Sequence, residues 1–205
     1  EESLKKEIGY KSTIGLEANL LEWFVSIHYD KSDEKNMLKA YSTMQDFYNQ
    51  HKNIKDVIHY YALANFRLGR FYQGNNVEKA VYYFEIAGNY GDKNIKLYSN
   101  ICKGFAYLSA KMYKPIPAIL NKLQAFDDLN IFQKLNTHEI AGRLYSETYN
   151  KEKLLFHTNQ ALNLLNAKDI NVDVLSFKQE EFESIEEIQY PILLNQFAYY
   201  MENID

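Results

Sequence analysis

Three times along this chain a glycine sits in an apolar helical pattern with a tyrosine three residues later: Gly69…Tyr72, Gly104…Tyr107 and Gly142…Tyr145. Successive glycines are 35 and 38 residues apart. Each is followed, 18, 21 and 19 residues on, by an alanine of the next helical stretch: Ala87, Ala125 and Ala161. A recurrence of this length is one supersecondary unit, too small to bury its own apolar face, so neighbouring units must stack. The residue types fit that duty. Glycine on one helix lets a second helix approach closely, and alanine on the second keeps the contact short.

Composition narrows the architecture further. The chain has 205 residues and is 46% hydrophobic, yet carries only 8 Gly and 3 Pro. An all-β chain needs far more turn residues, so helices packed on helices are predicted. The period is close to that of tetratricopeptide repeats. The expected fold is therefore all-α, a tetratricopeptide-like right-handed superhelical stack of antiparallel helix pairs.

Apolar periodicity places the helices. The first is expected at 15–29, on the stripe Leu16, Leu20, Trp23, Phe24 and Ile27, with Trp23 and Phe24 anchored in the core. The second is expected at 33–50 on Met37, Tyr41, Met44 and Tyr48, capped by Ser32 or Asp33. A densely aromatic helix at 54–73 should end at Gly74-Asn75-Asn76, a turn composition that tolerates positive φ. Helices follow at 76–88, on Val77, Ala80, Val81, Phe84 and Ala87, and at 94–112. Pro115 and Pro117 open a sixth, and two more are expected at 131–149 and 151–166. Beyond these come a connector at 168–176, a short acidic helix from Phe177 to Glu187 and a last apolar helix from Pro191. The organisation expected is one continuous body: a helix pair over 1–52, three degenerate repeats over 53–168, and a connector with a capping helix over 169–205.

Charge and cysteine content exclude several functions. Net charge is -4 with the two signs well mixed, so the chain has no basic footprint for nucleic acid. The single cysteine, Cys102, can form no internal disulfide and no thiolate metal cage, which suits a reducing, cytoplasmic location. No apolar run reaches the ~18 residues of a membrane span. The first residues lack the pattern of a signal peptide and an initiator Met, so a longer parent protein is expected.

Chemistry is equally sparse. Among His28, His51, His59, His138 and His157 no two stand four apart on a helix, and no phosphate loop, dinucleotide fingerprint or nucleophile elbow is present. Glu180, Glu181, Glu183, Glu186 and Glu187 read as a solvated acidic face, and Cys102 as a small core residue. No catalytic residue, metal or cofactor is expected. In each tyrosine pair, Tyr60-Tyr61, Tyr82-Tyr83 and Tyr199-Tyr200, one ring should turn inward and one outward.

Three strings suggest a relationship: Leu20-Leu21-Glu22-Trp23-Phe24, Leu38-Lys39-Ala40, and His59-Tyr60-Tyr61-Ala62-Leu63-Ala64-Asn65-Phe66-Arg67. Over residues 16–90 the chain resembles the N-terminal part of the Rap proteins. These are cytoplasmic receptors of Gram-positive bacteria for secreted peptide pheromones, related to the PlcR, NprR and Rgg regulators. Residues 168–205 match nothing in that group, and its DNA-binding helix-turn-helix is not visible. The resemblance implies peptide sensing rather than a particular output.

A peptide groove has candidate residues. Only three arginines stand among the 23 basic residues, and Arg70 and Arg143 each follow a repeat glycine directly. An arginine fork can hold a carboxylate with two hydrogen bonds. Asn65, Asn100 and His138 each stand four residues before a repeat glycine. An asparagine offers both donor and acceptor, so a ladder of them could grip an extended peptide; the resemblance implies such groove asparagines. Gln73, Tyr98 and Ser146 are expected on the same surface. The leading expectation is a non-enzymatic, intracellular quorum-sensing regulator that binds a short peptide in this groove. The alternative is a constitutive scaffold for protein partners, and either form could dimerise through the last helix. The two are told apart by an asparagine- and arginine-lined groove or an exposed apolar patch.

Overall fold

The computed structural model describes residues 2–164, and every regular element among them is helical. The order is α1 (Glu2–Asp30), α2 (Glu34–His51), α3 (Lys55–Tyr72), α4 (Val77–Tyr90), α5 (Lys93–Ser109), α6 (Ile116–Gln124), α7 (Ile131–Glu147) and α8 (Lys151–Leu164). The connector, acidic helix and last helix expected after 168 lie outside the described residues, as do the carboxylate cluster and Tyr199-Tyr200. No described helix is long and apolar enough to cross a membrane.

Side chains that satisfy free N–H groups set the helix starts. Asp33, Asn76, Asp92 and Asn150 accept from the backbone N–H three residues on, at 3.2, 3.0, 2.9 and 3.1 Å. Asn130 and Gln133 form a reciprocal capping box, with bonds of 2.9 and 3.0 Å. Each cap contributes about 1 kcal/mol. Pro115 stands immediately before α6, with no side-chain capping bond, and Pro117 lies in its first turn, as expected. The positive φ that the Gly74-Asn75-Asn76 composition tolerates is not used there: among the described residues no glycine has positive φ, and Ser32, Lys111 and Tyr149 adopt it. At Ser32 and Tyr149 the helix closes with a six-residue Schellman bond, Asp33 N–H to His28 O at 2.9 Å and Asn150 N–H to Tyr145 O at 2.8 Å.

The chain divides into two compact units, Glu1–Ala110 and Lys111–Asp205. In the first, α3 packs against α1, α2, α4 and α5, while α2 packs on α1 and α5 on α4. One core joins α1, α2 and α3 through Ile14, Ala18, Val25, Met37, Tyr41, Met44, Val57, Tyr61, Ala64 and Leu68. Between α3 and α4 the contact is as close as the spacing suggested. A Cβ on Gly69 would lie 2.5 Å from Cδ1 of the fully buried Phe84, and Ala80 and Ala87 of the same helix are fully buried too. Tyrosines line the same core. Tyr48 stacks on Tyr61 at 4.1 Å between centroids, and Tyr72 stacks on Tyr83 at 5.8 Å. As expected, Tyr61 is more buried than Tyr60, and Tyr83 more than Tyr82. In the second unit α7 packs on both α6 and α8.

The expected core face of α1 is corrected. Leu16, Leu20, Trp23 and Phe24 are 68%, 51%, 53% and 42% exposed. The face that enters the core carries Ile14, Ala18, Glu22 and Val25 instead. The helix is apolar on two sides, so periodicity alone could not choose between them. The smaller side chains win because α3 comes close: a Cβ on Gly15 would lie 2.7 Å from Oδ2 of Asp56.

Candidate functional site

The three arginines have different fates. Arg67, on α3, donates through Nε to Oε1 of Glu22, a buried carboxylate on α1. Arg143 lies 3.9 Å from Glu139 on its own helix. Burial pushes the Glu139 carboxyl above its usual range, and Arg143 draws it part of the way back. Arg70 differs: among the described residues no carboxylate pairs with it. Its Nη1 donates to Oε1 of Gln73 at 3.3 Å and reaches Sγ of Cys102 at 3.7 Å, and its guanidinium also meets the Tyr29 hydroxyl. An amide oxygen, a phenol and a thiol are modest acceptors for a full positive charge.

Position makes Arg70 notable as well. Tyr29 belongs to α1, Gln73 follows the end of α3 and Cys102 belongs to α5, so one exposed guanidinium touches the odd-numbered helices of the first unit. Gln73 donates through Nε2 to the carbonyl of Cys102 at 3.4 Å and so ties the end of α3 to α5. Cys102 is buried as expected, and burial pushes its thiol above the ordinary range while Arg70 opposes the shift. Beside the guanidinium lies a cavity of about 520 Å³, lined by Tyr29, Asp30, Ser32, Arg70, Phe71 and Asn75. It offers an aromatic wall, hydrogen-bonding side chains, one cation in Arg70 and one carboxylate in Asp30.

The asparagine ladder does not form on a surface. Asn65 is fully buried: its Nδ2 donates to Tyr61 O at 2.8 Å and its Oδ1 accepts from the Tyr41 hydroxyl at 2.8 Å. Both ends of the amide are spent inside the core, where burial also raises the Tyr41 pKa. Asn100 is buried too and donates to the carbonyl of Lys96, one turn back, at 3.0 Å. Ser146 is buried. Tyr98 is exposed on α5. Thus Arg70 and Gln73 adjoin one another, Tyr98 lies on a nearby helix, and Asn65 and Asn100 hold the core.

His138 and Arg143 belong to the second unit. The structure brings His138 of α7 and His157 of α8 together, with their Nδ1 atoms 3.0 Å apart. Tyr145 stacks on His157, and the Lys153 ammonium lies 5.1 Å above the Tyr145 ring. Burial, then the neighbouring His157, lowers the His138 pKa to about 4. Burial, then Lys153, lowers that of His157. The two histidines stand 19 residues apart, so no local motif announces the pair. The sequence signal is one imidazole on each of two successive predicted helices. Among the described residues no group of three or more His, Cys, Asp or Glu could hold a metal ion.

Comparison with protein-family models, with curated proteins and with solved structures finds no match.

Proposed function

We propose that this protein is a non-enzymatic binding module that holds a short peptide by a carboxylate at Arg70. The carrying observation is the exposed guanidinium of Arg70, which has no carboxylate partner among the described residues while Arg67 and Arg143 both have one. A planar fork with spare donors suits the C-terminal carboxylate of a peptide. Tyr29 and Phe71 supply apolar surface for the neighbouring side chain, and Ser32 and Asn75 can meet the peptide backbone. The packing of α1 on α3 and of α3 on α5 supports a tetratricopeptide-like arrangement in which odd-numbered helices share a ligand-facing layer. The resemblance to pheromone receptors, confined to residues 16–90, points the same way. A peptide bridging α1, α3 and α5 would favour one arrangement of these helices over another, which is how such a module would signal.

The test is a thermal-shift screen of short peptides, each made with a free and with an amidated C-terminus. Free-acid peptides should raise the melting temperature; near 100-fold excess over Kd the stabilisation is about 2.7 kcal/mol. Amidation and Arg70→Ala should each remove most of that rise. Equal shifts from both peptide forms, or a shift that Arg70→Ala leaves intact, would sink the assignment.

A further inference from the structure

We propose that the groove between α1 and α2 is a docking surface for an amphipathic helix of another protein, one whose polar face is acidic. This site is separate from Arg70 and does not depend on the peptide reading. The first observation is spacing. Leu16, Leu20, Trp23 and Ile27 follow one another at intervals of 4, 3 and 4, the seam against which a second helix packs. The opposite face of α1 serves the core, and Leu16, Leu20 and Trp23 are exposed among the described residues. Trp23 and Phe24 form a tilted pair with centroids 5.6 Å apart, so the seam carries its largest rings together at its centre. Aromatic anchors of this kind dominate interfaces between proteins.

The second observation is a receptacle beside the seam. A cavity of about 500 Å³ opens between α1 and α2, floored by Leu21, Phe24 and Ala40 and edged by Lys39 and His28. No carboxylate lines it. Asp33, 3.6 Å from His28, already accepts from the side chain and backbone of Asn36. Lys39 therefore gives that edge a positive charge in a chain whose net charge is -4. An incoming helix can place apolar residues along Trp23 and in the cavity, and a carboxylate against Lys39. Charge selects the partner's polar face, and the 4-3-4 spacing selects a helix.

Trp23 is the chain's single tryptophan, so the surface carries its own reporter. The probes are two synthetic helices of about 18 residues with leucines at heptad a and d positions, one with glutamates and one with lysines elsewhere. Titrated into the full chain, the glutamate helix should blue-shift Trp23 emission and protect it from iodide quenching; the lysine helix should not. Lys39→Glu, an exposed change that leaves the fold intact by circular dichroism, should weaken the glutamate helix about tenfold. Arg70→Ala should leave its binding unchanged. Equal binding of both helices, or no response from either, would overturn the proposal. So would Trp23 emission that is already shielded without a probe. If that shielding follows protein concentration, with a dimer by light scattering, the occupant is a second copy; if it does not, the chain covers the face itself.

Discussion

Asn65 and Arg70 sit barely more than a turn apart on one helix, yet one serves the core and the other meets solvent. The difference lies in what each side chain can satisfy locally. An asparagine can donate to the carbonyl one turn back, as Asn65 and Asn100 both do, and then needs one more partner or none. A guanidinium has five donors in a fixed fork and cannot be satisfied that way. Residue type singles out Arg70 as the candidate anchor, and Arg70 is exposed; Asn65 and Asn100 are buried instead, Asn65 with Tyr41 reaching across to it from α2. Glycine shows the same dependence on surroundings. Gly69→Ala adds helix propensity but drives a methyl into the Phe84 ring, so a net loss of about 1–2 kcal/mol is expected. Gly9 has nothing within 4 Å of the point a Cβ would occupy, so Gly9→Ala should hold or raise stability. Urea melts of the two variants would decide the matter; equal effects would mean that the α3–α4 contact is looser than described.

At the scale of elements, most of the helices were legible because their boundaries are written in local chemistry. Asp33, Asn76, Asp92, Asn130 and Asn150 each stand before an apolar run, and each caps it. The orientation of α1 was not legible. Its larger side chains face out, and its core face is built from small ones that let α3 close in. Nor was the meeting of His138 with His157, which depends on how α7 and α8 are set against each other. That meeting has a consequence for pH. An unfolded chain protonates its imidazoles near pH 6.5, while folded His138 does so near pH 4. Between these values the unfolded state holds more protons. The contribution of His138 is thus fully present above about pH 6.5 and declines as pH falls toward 4. Glu139, whose pKa burial raises, works in the opposite sense: its protonated form is the one favoured by folding, so its contribution is lost as pH rises. The comparison of wild type with His138→Leu isolates the first effect. Between about pH 7 and pH 5 the wild type should lose more denaturant resistance than the variant; identical losses would show that the pair does not couple to folding.

At the scale of the whole molecule, the chain divides into two compact units between Ala110 and Lys111. The glycine spacing carries no mark of that division, because Gly104 lies in α5 of the first unit and Gly142 in α7 of the second. The division bears on the proposed function, since the residues on which the proposed peptide site at Arg70 rests all lie before it. Tyr29, Asp30, Gln73, Asn75 and Cys102 all belong to the first unit, and so does the exposed seam of α1. That unit has its own core, joined through α1, α2 and α3 and extended by the Gly69–Phe84 contact. About 100 residues is enough chain to sustain such a core. A fragment of residues 1–110 should therefore melt cooperatively and keep the Arg70-dependent response to free-acid peptides. Circular dichroism melts and the thermal-shift screen, run side by side on fragment and full chain, give the answer. A fragment that folds but ignores the peptides bound by the full chain would place part of the binding surface beyond Ala110. A fragment with no cooperative melt would mean that the first unit draws its stability from the rest of the chain.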